Sequence, residues 1–308
     1  MRVTIAGAGS FIGKRIVAMA EHQQDMDLTL VLRKGSFINL AGYSKDVKLV
    51  ECNMEDYAEL GKKAGKGECF IDLAWMGSRG TDRQDQAIQR FNYECSMKAM
   101  KSMANAGYRI LISAGSQAEY GQCNAVITEE TPLKPNTEYG KYKVQIYQET
   151  AELCMKAGIR FIEPRYFSLY GPGDYSKTLI MGCIEKMRKN MACELNECTQ
   201  LWDYLYIDDA IEALFALCRN EKATGAYNFA TGEYRMLREF VMDIHKALRS
   251  ESFVQFGSPG NTFKGLIINL QPSVDKLKRD ASWSPETSFI DGIRKTAQSF
   301  VTGAFPIS

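Results

Sequence analysis

The N-terminal end of the chain limits its fold more than any other stretch. Val3 to Ala6 is a short apolar run. Gly7-Ala8-Gly9-Ser10-Phe11-Ile12-Gly13 follows at once, and a helical pattern then runs from Lys14 to about Gln23. Glycines between a strand and a helix permit a tight turn and let backbone N–H groups approach a pyrophosphate at the positive helix end. A glycine triplet alone is a weak signal; its place between strand and helix gives it weight. The turn predicts a dinucleotide cradle built from Gly7, Gly9, Ser10, Phe11, Ile12 and Gly13.

The same alternation continues downstream. Leu28 to Leu32, Val47 to Glu51, Glu68 to Ala74, Arg109 to Ser113 and Arg160 to Pro164 read as short buried strands. Gln84 to Ala106 and Tyr139 to Ala157 carry helical spacing. Apolar runs of this length between amphipathic helices predict an α/β fold with a doubly wound parallel sheet, covered on both faces. After Phe167 the alternation breaks down at Gly171-Pro172-Gly173-Asp174. We therefore expect a dinucleotide-binding domain over residues 1–167. A smaller, mainly substrate-binding domain is expected over 168–308, with some segments packing back on the sheet.

Composition narrows the function. Lysine plus arginine number 38 and aspartate plus glutamate 37, so no net field draws the chain to nucleic acid or an anionic membrane. A charged ligand must be held by locally placed groups. The nine cysteines are scattered and odd in number, and read as small buried hydrophobes in a reducing compartment. With only His22 and His245, no His-rich metal site is expected. No apolar run approaches the roughly 20 residues that span a bilayer, and the chain opens on a strand rather than a signal peptide. The expectation is a soluble cytoplasmic protein with no metal and with a small-molecule partner.

An acid at the end of the second strand would bind the free adenosine ribose hydroxyls of NAD. That position reads Leu32-Arg33-Lys34, with no acid until Asp46. Two cations there suit a 2′-phosphate, so NADP(H) is favoured, with NAD as the alternative. The competing account makes Arg33 and Lys34 a solvated loop. Asn53 and Met54, after the third strand, are placed to bond and cover the adenine edge.

Tyr139-Gly140-Lys141-Tyr142-Lys143 sets a tyrosine and a lysine four apart at a helix start, on one face. A free phenol has a pKa near 10. A neighbouring ammonium and an oxidised nicotinamide would bring it towards neutrality. Tyr-x-x-x-Lys is common by chance, but Ile110 to Ser113 leads to Ser116 where a sheet of this kind presents its active site.

These segments together resemble the extended short-chain dehydrogenases, the family of nucleotide-sugar epimerases, dehydratases and reductases. The resemblance runs along nearly the whole chain. It takes in Gly7 to Gly13, Leu73-Ala74, Asn92, Ser116 to Gly121 and Tyr139 to Lys143. It continues through Arg165-Tyr166-Phe167-Ser168-Leu169-Tyr170-Gly171-Pro172-Gly173, Trp202 to Asp209 and Trp283-Ser284-Pro285. It implies a Rossmann sheet with Leu73, Ala74, Asn92 and Tyr166 added to the cofactor site. Tyr139 would be the acid/base, Lys143 would hold the nicotinamide ribose and lower the phenol's pKa, and Ser116 would orient the substrate oxygen.

Departures from the family pattern sharpen the expectation. Dehydratases of the family carry an Asp-Glu pair after the serine; here Gln117 and Ala118 stand there, which argues against elimination of water. The acid of sugar-acid decarboxylases is absent too. Ser168 replaces a common Asn and Trp202 a common Arg, and with Ser116 and Gln117 they are the substrate-side candidates. A 4-ketoreductase of a nucleotide-linked 4-keto-6-deoxysugar is favoured. A nucleotide-hexose 4-epimerase with tightly bound NAD comes second; a flavonoid-type or steroid-type reductase and a non-catalytic NADP(H) sensor come after it. Relatives often dimerise through the Tyr/Lys helix, so a homodimer is expected. Tyr147, Ala151 and Cys154 would form that seam or face the chain's own core.

Overall fold

The computed structural model describes residues 1–40, 43–258 and 269–302. The first half holds the strands β1 (Arg2–Ala6), β2 (Asp27–Leu32), β3 (Val47–Glu51), β4 (Cys69–Asp72), β5 (Ile110–Ser113), the two-residue β6 (Gly115–Ser116) and β7 (Arg160–Tyr166). Its helices are α1 (Phe11–Ala20), α2 (Leu60–Ala64), α3 (Gln86–Asn105) and α4 (Glu138–Ala157). Beyond Phe167 come β8 (Leu169–Tyr170), α5 (Leu179–Arg188), β9 (Cys193–Leu195), β10 (Leu201–Trp202) and β11 (Leu205–Tyr206). They are followed by α6 (Ile207–Arg219), β12 (Gly225–Phe229), β13 (Arg235–Met236), α7 (Leu237–Leu248), β14 (Val254–Phe256), α8 (Asp275–Ala281) and α9 (Phe289–Thr302).

The main sheet runs β12-β7-β5-β4-β1-β2-β3, with β6 beside β7, and every pairing is parallel. Alternation along the strands explains why both faces are covered. Ile5, Leu30, Ile71, Ile112 and Ile162 point into one apolar cluster, which also takes α1 and α6. Val31, Phe70, Leu111 and Phe161 point into the other, with Met100 and Met103 of α3. The chain order reverses between β1 and β4, so the C-terminal ends of these strands, Ala6 and Asp72, flank the crevice where such sheets bind ligands.

Two local differences from the sequence reading have plain causes. Helix α1 starts at Phe11 rather than Lys14, because the Ser10 hydroxyl accepts from the Gly13 N–H at 3.1 Å and caps it. The strand expected to end at Pro164 runs on to Tyr166. Pro164 has no N–H to donate, and it falls where β5 has stopped pairing at Ile162 and β6 has not begun at Arg165. The C-terminal half also supplies a strand of the main sheet, since β12 pairs with β7 from Gly225 to Phe229.

Candidate active site

The glycine turn has the shape its sequence demands. Gly7 sits at φ +78°, and a Cβ there would lie 2.8 Å from the Ala74 nitrogen and the Leu73 carbonyl carbon. At Gly13 a Cβ would lie 2.4 Å from the Gly7 carbonyl oxygen. These two glycines let strand and helix approach. At Gly9, exposed, a Cβ would meet nothing within 4 Å. The turn thus leaves open space on its outer side, at the N-terminus of α1, and that cradle fits a dinucleotide pyrophosphate. Ser10, Phe11, Ile12 and Leu73 line the adjoining cleft, a cavity of about 1030 Å³.

At the end of β2, Arg33 and Lys34 are exposed. Among the described residues neither side chain has an ion-pair partner. Asn53 holds this loop, its Oδ1 accepting from the Lys34 N–H at 3.0 Å. Met54 does not lie open for an adenine edge: it is buried with Val31 and Cys52 in the core.

The structure brings Ser116, Gln117, Tyr139 and Lys143 together on the same cleft. Thr137 caps α4 by accepting from the Gly140 N–H at 3.0 Å, which sets Tyr139 and Lys143 in the first turns with both side chains buried. Ser116 ends β6 and is fixed from behind. Its N–H donates to Glu119 Oε1 at 2.6 Å, and its hydroxyl accepts from the Ala118 N–H at 3.2 Å while lying beside the Tyr139 phenol.

Burial raises the Tyr139 phenol above its ordinary pKa; the Ser116 hydrogen bond, Arg83 and Arg79 pull it back, and Glu119 opposes them. Lys143, expected to act on this phenol, stands farther from its ring than Arg83 does. Its Nζ is 5.8 Å from the phenol ring centroid, donates to the Ala114 carbonyl at 2.7 Å and sits 3.7 Å over the Trp75 ring. Desolvation lowers that ammonium to about 8, against the pull of Asp72, Glu119 and Glu163.

Behind Ser116 lies a buried ionic cluster. Arg165 Nε donates to Glu119 Oε2 at 2.8 Å and Glu163 Oε2 at 2.9 Å, and its Nη1 reaches the Tyr120 hydroxyl at 3.0 Å. Tyr120 donates onward to Asn228 Oδ1 at 2.6 Å, tying β12 to the network. Two carboxylates share one guanidinium, and Glu163 Oε1 has no hydrogen-bond partner among the described residues. Desolvation, then repulsion from Glu119, holds the Glu163 carboxyl well above its usual range.

Asn92 lies elsewhere than expected. It is fully buried, its amide donating to the Met76 carbonyl at 2.8 Å and accepting from the Met76 N–H at 2.9 Å. It clamps the loop after β4 rather than facing the cleft. Ala74 likewise contributes backbone, donating to Asp72 Oδ1 at 3.1 Å. Tyr166 does line the cleft, and its buried hydroxyl lacks a hydrogen-bond partner among the described residues.

The residues that sequence reasoning missed are on that clamped loop, between the expected strand and helix. Arg83 stacks its guanidinium 4.5 Å over the Tyr139 ring, and Arg79 pairs with Asp174 at 3.3 Å across the cleft. Two arginines among glycines and hydroxyls, Gly77-Ser78-Arg79-Gly80-Thr81-Asp82-Arg83, were the available signal. Ser168 and Trp202 line a neighbouring cavity of about 420 Å³, where the indole N–H donates to the Ser168 hydroxyl at 2.9 Å. Tyr147, Ala151 and Cys154 turn to the chain's own core.

The glycine cradle beside a Ser-Tyr-Lys cluster defines a dinucleotide-dependent oxidoreductase site. A family model described as "NAD dependent epimerase/dehydratase family" matches residues 3–230. The chain belongs to that family, the extended short-chain dehydrogenases, and is a nicotinamide-dependent enzyme of that type. An ADP-L-glycero-D-manno-heptose-6-epimerase of Nitratidesulfovibrio vulgaris (strain DP4) is 24% identical, over 99% of each chain. A dTDP-4-dehydro-6-deoxyglucose reductase of Escherichia coli is 22% identical, over 63% of this chain and 62% of its own. The solved UDP-N-acetylglucosamine 4-epimerase of Methanobrevibacter ruminantium M1, in complex with UDP-N-acetylmuramic acid, superposes with a TM-score of 0.87 at 19% identity. That superposition covers 98% of this chain and 99% of the other.

Proposed function

We propose that the protein reduces the 4-keto group of a nucleotide-linked 6-deoxysugar, with NADP(H) as the favoured cofactor. The observation that carries this reading is the pairing of Tyr139 and Ser116 in one cleft, with Gln117 and Ala118 where an eliminating enzyme needs acids. Neither side chain moves a proton at neutral pH, so the site is equipped for redox at one carbon. A bound reduced nicotinamide supplies the hydride. Ser116 hydrogen-bonds the substrate oxygen, and Tyr139 gives that oxygen its proton as the carbonyl becomes an alcohol. Lys143, anchored on the Ala114 carbonyl, holds the ribose hydroxyls next to Tyr139.

Arg33 and Lys34 support NADP(H), since both are exposed, and without an ion-pair partner among the described residues, where a 2′-phosphate would lie. Residues 168–308 would hold most of the sugar nucleotide, with Ser168 and Trp202 in the aromatic cavity next to the cleft. A 4-epimerase with tightly held NAD is the second reading; the full-length likeness to a heptose 6-epimerase supports epimerisation as a class of reaction. On family resemblance we extend the proposal to a cytoplasmic homodimer.

The test is to mix the purified protein with NADPH and a panel of nucleotide-linked 4-keto-6-deoxysugars. Loss of the reduced-nicotinamide absorbance with one of them is the expected result. No loss, together with interconversion of simple nucleotide hexoses and co-purifying NAD, would replace the reductase by the epimerase.

A further inference from the structure

We propose that Arg83 is a positioning residue for the proton transfer: its guanidinium, lying on the face of the Tyr139 ring, stabilises the phenolate that Tyr139 becomes when it gives up its proton. The inference rests on the acid/base role proposed for Tyr139, but not on the identity of the sugar.

The geometry is built to hold this contact. Arg83 Cζ is 4.5 Å from the Tyr139 ring centroid. A cation over an aromatic face is attracted by the ring's electrons, and the attraction grows when the ring carries the spread charge of a phenolate. The contact is thus stronger after proton transfer than before it, as catalysis requires. The loop bearing Arg83 is held by fully buried Gln89, whose Nε2 donates to the Gly77 and Asp82 carbonyls, both at 2.8 Å. The Gln89 Oε1 accepts from the Trp75 indole at 2.7 Å. Gln84, next to Arg83, accepts from the Glu138 N–H at the head of α4, one residue before Tyr139.

Among the described residues the Arg83 side chain has one protein acceptor, the Ser78 carbonyl at 3.4 Å. Among the described residues no carboxylate pairs with it. Of the groups facing Tyr139, Ser116 donates or accepts at the hydroxyl, Trp75 meets the ring edge-on at 6.0 Å, and Arg79 adds a weaker positive field. Glu119 acts against ionisation, and the Lys143 ammonium is occupied at Ala114, 5.8 Å from the ring centroid. Arg83 is therefore the nearer cation. The influence is mutual: burial lowers the Arg83 pKa, and Tyr139 raises it.

In the reducing direction, hydride would pass from the reduced nicotinamide to the carbonyl carbon: a ring C–H bond breaks and leaves the nicotinamide oxidised, a C–H bond forms on the sugar, and the carbonyl π bond breaks. The new alkoxide oxygen takes the Tyr139 proton, and the negative charge ends on the phenolate under Arg83. Oxidation of the alcohol reverses each change.

The test reads the phenol itself, without a sugar substrate. The protein is labelled isotopically at the tyrosine Cζ and titrated by NMR with and without NADP⁺, and Tyr139→Phe identifies the Tyr139 signal. Arg83→Gln is expected to raise the Tyr139 midpoint by about one pH unit, a tenfold change in its ionisation constant. Arg83→Lys is expected to recover part of that shift, and carries the test alone if Arg83→Gln does not fold. An unchanged Tyr139 midpoint in a folded Arg83 variant overturns the inference. The role of Tyr139 fails separately, if Tyr139→Phe consumes NADPH with a 4-keto sugar nucleotide as fast as the native protein.

Discussion

The two cavities that meet at Phe11, Ile12 and Tyr166 use their side chains differently. The larger is walled by ionisable groups held at the sheet's edge, among them Lys143 and Arg83, with Asp72, Glu119, Glu163 and Arg165 buried behind them. The smaller has more aromatic and aliphatic wall, with Phe167, Leu169, Trp202 and Tyr204, and its polar contacts pair Trp202 with Ser168 and Asp174 with Arg79 and Thr178. Charges in a dry, fixed frame act strongly on a reacting atom, whereas apolar walls select by shape. Under the proposed function, the difference puts proton chemistry at the sheet edge and selection by shape in the neighbouring cavity.

The first way to break this contrast is at its centre. Tyr139→Phe removes the proton donor and keeps the ring, so turnover is expected to fall about 10²–10⁴-fold while the dinucleotide still binds. Steady-state rates beside a cofactor titration check both halves of that statement. Next in size is the buried cluster. Arg165→Met leaves Glu119 and Glu163 without their cation, an expected loss of about 3–5 kcal/mol of stability by denaturant unfolding.

Glu163→Gln should act quite differently. The folded carboxyl has a raised pKa, so the native state keeps a proton that the unfolded state releases. Stability is then full below the ordinary glutamate range and declines as pH rises towards the folded value. Glutamine removes that slope, and the variant's stability is expected to vary less with pH above that range than the native protein's.

Arg33→Asp should cost NADPH about 1–3 kcal/mol of binding and leave NADH nearly untouched. Equal losses for both would return Arg33 to a solvated loop. The smallest effect belongs to the aromatic cavity. Trp202→Phe forfeits the bond to Ser168, about 1 kcal/mol, and is expected to raise KM several-fold at constant kcat. A fall in kcat instead would blur the division between the cavities.

Much of the sheet was readable because its strands are buried on both faces and its turn glycines are obligatory. Ser116, Tyr139 and Lys143 were readable because a helical spacing of four and a strand end are local features. The ionic cluster was not. Glu163 and Arg165 are two apart on β7, but Glu119 joins them only through the register that pairs Gly115 with Arg165 and Ser116 with Tyr166. Asn92 carried no mark of its direction, since a buried amide serves a loop backbone as readily as a ligand. Arg79 and Arg83 escaped for the opposite reason: they lie between periodic segments, where periodicity says nothing.

The most direct test of the whole account is a crystal structure of the protein with NADP⁺. The account predicts the pyrophosphate at Gly9 and the N-terminus of α1, with the nicotinamide ring within reach of the Tyr139 hydroxyl and the 2′-phosphate by Arg33 and Lys34. A dinucleotide bound away from the glycine turn, or a nicotinamide with the Tyr139 hydroxyl turned from it, would contradict it.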